Sequence, residues 1–336
     1  MNINQRLWIP LHLAIYAIVI ALTLPLSAQD QEEPEKKANP ELGHTQCFLE
    51  PLKKKVYLGE PIYLYVTLIN RMTLGGKPRT MNANSDLNPS ASLNIQFYSQ
   101  DEPHNVRRFI FEPEQDATLL QKYNIILDYG EYWNYPVTVC ASPATISGFI
   151  VDKPGRYVFS GGLQIVIDGR MAQFVFPPCE VEILPPPDDE VALYDSLCYP
   201  ETALALQQPG RAQDAVIEDL RKLLAERPDS LYAPHLHFTV SAYAFLKGDN
   251  QDALEQITQA LNAGDGSIPR ECMLYQRAQI NIKLGDIESV VRDLHTIQLI
   301  NPKSHFVTPE DLFSKKYLML DAENAIINDM WPLYEP

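Results

Sequence analysis

The chain has 336 residues, 46% of them hydrophobic and 21% charged, which supplies enough apolar surface for packed cores and excludes a disordered polymer. Its formal net charge of -16 disfavours nucleic acid and anionic membrane surfaces as partners, since both are bound through basic patches. The length favours two domains over one.

At the amino terminus Arg6 is the only charge before Asp30, and Leu13 to Leu24 is apolar apart from Tyr16 and Thr23. Pro25-Leu26-Ser27-Ala28 follows, with small residues where a signal peptidase cuts, so residues 1–28 read as an export signal. This predicts a periplasmic or secreted protein. The alternative is a membrane anchor formed by an uncleaved signal, which would be the chain's one membrane contact. Residues 29–44 carry Gln, Glu, Pro and Lys without apolar periodicity and read as a flexible spacer.

From Cys47 to Leu184 the pattern has a period of two. Ile62, Leu64, Val66 and Leu68 alternate with Tyr63, Tyr65 and Thr67, which predicts a strand with one face in a core and one partly in solvent. Asn82 to Pro89 reads as a polar loop. Further strands are predicted at 93–97, 108–111, 123–127, 133–139, 157–166 and 174–183, separated by Gly, Pro and Asp clusters. Five cysteines, Cys47, Cys140, Cys179, Cys198 and Cys272, are widely and irregularly spaced, which argues against a zinc site. Their odd number leaves at least one thiol unpaired, and the choice between buried thiols and one disulfide stays open.

Pro185-Pro186-Pro187-Asp188-Asp189-Glu190 cannot extend a sheet ladder or a helix interior and reads as a stiff hinge over 186–192, separating two independently folded parts. Beyond it a helical pattern returns every 37 residues. Gly248-Asp249 recurs as Gly285-Asp286, and the apolar trios Val216/Leu220/Leu223, Ala253/Ile257/Ala260 and Val290/Leu294/Ile297 keep step. Offsets of four and then three put each trio on one helix face, the signature of stacked helix pairs. On this register Gln256 falls off the stripe and should face solvent. A last helix is predicted to open at Thr308-Pro-Glu-Asp311.

Two resemblances sharpen the expected fold. Asp152-Lys-Pro-Gly155-Arg-Tyr157 resembles the corner of immunoglobulin-like domains, in which a Tyr hydroxyl bonds to the upstream backbone. Tyr57-Leu-Gly59-Glu60-Pro61-Ile62 and Leu127-Asp-Tyr-Gly130-Glu131 look like segments of bacterial immunoglobulin-like modules on exported proteins. Gly248, Ala253, Ala260, Gly285 and Pro302 resemble the turn and packing positions of tetratricopeptide repeats, although the signature aromatic is replaced by His237 and Leu274. Together these imply α+β in two separate domains. An all-β immunoglobulin-like sandwich over 45–185 would be followed by an all-α tetratricopeptide-like helix-pair stack over 193–336.

No nucleotide, metal or nucleophile motif is present: there is no P-loop, G-x-G-x-x-G, H-E-x-x-H or G-x-S-x-G. The expectation is a non-enzyme without a cofactor. The tetratricopeptide resemblance implies a protein- or peptide-binding groove lined by His235, Phe238, Ala242 and Phe245 of one helix and Cys272, Tyr275, Gln279 and Ile282 of the next. The implied partner lies in the cell envelope or outside the cell. Tyr63, Tyr65, Tyr132, Trp133 and Tyr135 form an alternative stacking platform for a glycan, which would make the chain a carbohydrate-binding accessory protein. A hydrolase is the third reading, since paired acids converge only in space.

Overall fold

The computed structural model describes residues 45–74, 76–84, 93–109, 124–142, 147–263, 266–302, 304 and 306, and among these alternating side chains and β-branched runs underlie twelve strands between Gln46 and Leu184. The predicted signal, the spacer and the helix opening at Thr308 lie outside the described residues. Three strands, β1 (Gln46–Pro51), β3 (Ile62–Ile69) and β10 (Tyr132–Val139), make a small antiparallel sheet in the order β1-β3-β10. A larger sheet of seven strands holds β2 (Lys55–Tyr57), β6 (Met81–Asn84), β7 (Leu93–Ser99), β8 (Arg107–Phe109), β9 (Asn124–Leu127), β11 (Gly155–Ile167) and β12 (Arg170–Leu184). The strands β4 (Thr73–Leu74) and β5 (Lys77–Pro78) form a separate hairpin.

The two sheets face each other across one apolar layer. Leu64, Val66 and Leu68 of β3 meet Ile95 and Phe97 of β7 and Phe159 and Ile165 of β11 there, all at most 3% exposed. Each such side chain contributes about 1.5–3 kcal/mol by leaving water. Asn82–Asn84, expected in a loop, belongs to β6, because Met81 and Ala83 point inward while the intervening Asn82 points out. The hydroxyl of Tyr157 donates to the carbonyl of Lys153 at 3.0 Å, which is the hydrogen bond a tyrosine corner requires.

After the prolines come α1 (Val191–Leu197), α2 (Pro200–Gln207), a short 3-10 turn, α3 (Asp214–Glu226), α4 (Ala233–Lys247), α5 (Asn250–Asn262), α6 (Arg270–Leu284) and α7 (Ile287–Ile300). The repeat has a local cause. Gly248 and Gly285 end α4 and α6 in the left-handed conformation that lacks a penalty only for glycine. Asp249 and Asp286 then cap α5 and α7, accepting from the backbone N–H of Asp252 and Ser289. The stripes Ala253/Ile257/Ala260 and Val290/Leu294/Ile297 are all buried, as the 37-residue register requires. In α3 the buried residues are Ile217, Leu220 and Leu224 instead of Val216, Leu220 and Leu223. That helix shares its cluster with Leu206 of the short α2 and with Leu236 and Val240 of α4, so its stripe turns by about one residue.

The expected fold class needs correction. A pure immunoglobulin-like sandwich is antiparallel, whereas here β2 joins β12 in parallel, pairing Lys55, Val56 and Tyr57 with Glu182, Ile183 and Leu184. The larger sheet also branches, with β11 pairing β12, β6 and β7. Nor are the strands and helices separate cores. Tyr63 of β3 lies in the same apolar cluster as Ala253, Ile257 and Val290 of the helices, and Cys140 and Phe149 share another with Leu193, Leu197 and Tyr232. The described residues group as one compact unit of mixed α/β content, with a sheet region leading into a helical region.

The junction is tight at the backbone level. Gly148, at φ +76°, lies so near α2 that a Cβ there would sit 2.3 Å from Cα of Pro200. The side-chain oxygen of Gln207 in α2 accepts from the N–H groups of Cys140 (3.1 Å) and Ala141 (2.6 Å), which follow β10.

Two substitutions test these contacts. Gly76→Ala, at φ +79° in open space, should cost about 1–2 kcal/mol from the left-handed backbone alone. Gly148→Ala should cost a further ~1–3 kcal/mol because the Pro200 backbone must move. Equal denaturation midpoints for the two would mean that the loop and α2 do not touch. In the helices, Ala253→Leu forces a large side chain into a fully buried position and should cost about 1–3 kcal/mol. The exposed neighbour Glu255→Leu should change the melting temperature little. Gln256 is unsuited as the control, because it is half-buried and its Oε1 lies 2.7 Å from Nδ1 of His237.

Candidate functional site

The candidate groove begins where the sheet meets the helices. Pro234 stands in the first turn of α4, and the turn before the helix is fixed by Glu190, which accepts from the hydroxyl of Ser230 (2.8 Å) and the N–H of Leu231 (3.2 Å). The Tyr232 hydroxyl donates to the carbonyl of Leu58 at 2.6 Å. Gly59, at φ +88°, allows the strand-opening turn to press against the rings of Tyr194 and Tyr232.

These contacts bring His235 under the small sheet. It is 2% exposed, its ring lies nearly parallel to that of Tyr63 with centroids 6.0 Å apart, and its Nε2 is 3.5 Å from Oε1 of Glu60. The other Glu60 oxygen accepts from the N–H of Tyr57 at 2.7 Å. Among the described residues neither ring nitrogen of His235 has a hydrogen-bond partner. An imidazole set against a carboxylate in this way gains Coulomb attraction only as the protonated cation, and a buried pair must offset its desolvation.

At α6 a second side chain of β3 reaches the helices. The Tyr65 hydroxyl donates to Oε1 of the buried Glu271 at 3.0 Å. Burial pushes the Tyr63 and Tyr65 hydroxyls well up from the phenolic range, and Glu271 adds to this at Tyr65. The Cys272 thiol is pushed up by burial and then by the charge of Glu271. Burial likewise raises Cys47 to about 12 and Cys179 to about 11, and it raises Cys140 and Cys198. All five cysteines are free thiols held in the protonated, weakly nucleophilic form. Among the described residues no group of three or more His, Cys, Asp and Glu is placed to hold a metal ion.

Further along each helix the stripe continues away from β3. Phe238, Ala242 and Phe245 of α4 and Tyr275, Gln279 and Ile282 of α6 are all half-buried. Phe238, Phe245, Tyr275 and Ile282 rest partly on the helical core beneath them. The two helices are held side by side by Gln276, whose amide donates to the Ser241 hydroxyl at 2.9 Å, while Ser241 donates to the carbonyl of Ala253 at 2.7 Å. The eight groove residues therefore divide. His235 and Cys272 are engaged by the protein's own sheet, and the other six continue as a row of partly exposed side chains.

The proposed glycan aromatics are not brought onto one surface. Trp133 and Tyr135 stack on each other with centroids 5.7 Å apart and pack on the core between the sheets. Tyr63 is buried against the helices, and Tyr65 is tied to Glu271. Tyr132 is the member that reaches the surface, at 37% exposure. Sequence reasoning missed Glu60 and Glu271, which meet the sheet–helix contact at the first turns, and Leu52 and Phe306, which pack on the helical core. Contacts such as Tyr65 to Glu271, 206 residues apart, leave no spacing to read.

No family model and no curated protein matches this chain. Among solved structures, 42% of the chain is similar, at 15% identity, to 16% of a mutant β-glucosidase from Listeria innocua solved with laminaribiose. The TM-score is 0.19, and a likeness of that size carries no argument about fold or activity.

Proposed function

We propose that this is an exported, non-enzymatic binding protein that holds an apolar, partly aromatic segment of a protein partner along α4 and α6. The observation that carries the reading is the row Phe238, Ala242, Phe245, Tyr275, Gln279 and Ile282, half-buried on two helices that lie side by side. Aromatic and aliphatic side chains at helical spacing, interrupted by one amide and one small residue, suit a segment that inserts its own apolar side chains. His235 and Glu271 at the first turns are engaged by Tyr63 and Tyr65, so the sheet sets the angle of the groove without filling its length. Burial raises the Cys272 and Cys140 thiols, which disfavours cysteine-based nucleophilic chemistry.

The apolar run from Leu13 to Leu24 with Ser27-Ala28 behind it supports export. Among the described residues no helix is long and apolar enough to cross a membrane.

A photo-reactive p-benzoylphenylalanine placed at Ala242, Gln279 or the exposed Glu255, in chain expressed in intact cells, tests the groove. Ala242 and Gln279 should yield adducts with the same protein partner, and Glu255 on the opposite side of the stack should not. Identical adducts from all three positions, or no protein adduct from any, would sink the proposal.

A further inference from the structure

The hairpin of β11 and β12 leaves part of one sheet edge open. Asp168 and Gly169, at φ +48° and +77°, make its two-residue turn, so Ile167 and Arg170 pair directly across it. From there hydrogen-bonded and non-hydrogen-bonded pairs alternate along the ladder. Arg170, Ala172, Phe174 and Phe176 turn their backbone groups to β11, and a Cβ on Gly162 would stand 2.6 Å from the Phe174 carbonyl oxygen. Met171, Gln173 and Val175 therefore turn their N–H and C=O groups to the other side. Among the described residues β12 has a strand neighbour there only at Glu182–Leu184, where β2 pairs with it.

The side chains of the same three residues face away from the core. Ala172 and Phe176 are buried and Phe174 packs on the core, whereas Met171 is 58% exposed, Val175 is 78% exposed and Gln173 lies exposed between them. No charged residue falls between Met171 and Phe176, and Pro177-Pro178, lacking N–H groups, ends the open stretch. Edge strands ordinarily guard such a stretch with a charge or a bulge.

We propose that this edge pairs with itself, joining two copies of the chain antiparallel about a two-fold axis at Gln173. The pattern is its own complement, as a symmetric contact requires. That axis sets Met171 opposite Val175 of the second copy, Val175 opposite its Met171, and the two Gln173 residues opposite each other. All three pairs are of the hydrogen-bonded kind, so about six N–H···O=C bonds form across the axis. On the outward face apolar meets apolar, on either side of two amides that can bond to each other. Sliding by one residue would set these groups against residues already bonded to β11. Sliding by two would set Met171 opposite Pro177, which has no N–H to give, or Val175 opposite Gly169 of the turn. The proposal does not depend on whether the row on α4 and α6 binds a partner.

Sedimentation of the purified chain from about 1 to 100 µM should show a reversible monomer–dimer equilibrium. Val175→Lys, at a position exposed enough to leave the fold intact, should raise the dimer dissociation constant about tenfold or more. Under mild oxidation Gln173→Cys should give a disulfide joining residue 173 of both chains, since the paired Cα atoms would lie about 5.5 Å apart. Gln164→Cys, exposed on β11 and about 14 Å from its counterpart, should not link. A monomer at every concentration overturns the proposal and leaves the edge to a strand of a different protein. A dimer that Val175→Lys leaves as tight, or one in which residue 173 does not link, places the contact elsewhere and overturns it too. Equal linking at 164 and 173 would mark random collision and overturn it as well.

Discussion

The second face of β3 depends on helices from a distant part of the sequence, as the Tyr65 to Glu271 hydrogen bond across 206 positions illustrates. On one face Leu64, Val66 and Leu68 close the core between the sheets. On the other, Tyr63 stacks on His235 and Tyr65 reaches Glu271, so a strand that would otherwise be half-wet is buried on both sides. Without the helices the small sheet would expose this row of tyrosines. Without the sheet, the helices would expose a carboxylate and an imidazole at their first turns. Each part completes the other's core, and this binds the sheet region and the helical region into one unit.

That arrangement also positions the row proposed for binding. The repeat in α4 to α7 is set by local chemistry, a left-handed glycine followed by an aspartate cap, and it stacks the helices through their small or aliphatic stripes. The outward row on α4 and α6 begins under β3 and runs beyond it.

Much of the local structure was legible. Period-two runs mark β3, β7, β10, β11 and β12, and the 37-residue register marks α4 to α7 with their buried stripes. What escaped was set by distant partners. Tyr63 alternates as a solvent-facing residue would, and only its contact with His235 buries it. Asn82 gave β6 the look of a loop, although Met81 and Ala83 already alternate with it. The trio in α3 was shifted by one residue because the neighbour there is the short α2. The parallel pairing of β2 with β12 joins three-residue segments more than 120 positions apart, and no turn signal announces it. Of the candidate site, the row on α4 and α6 followed from what the tetratricopeptide resemblance implies. Glu60, Glu271 and Phe306 did not, since each acts on a residue far away in sequence.

The claim that sheet and helices share one core through β3 is tested most directly by amide hydrogen exchange in rising denaturant. Peptides covering Ile62–Ile69 and Ala233–Lys247 should lose protection together, with the same opening free energy and the same denaturant dependence. Loss of protection across α4 to α7 at low denaturant, with β3 still fully protected, would contradict it.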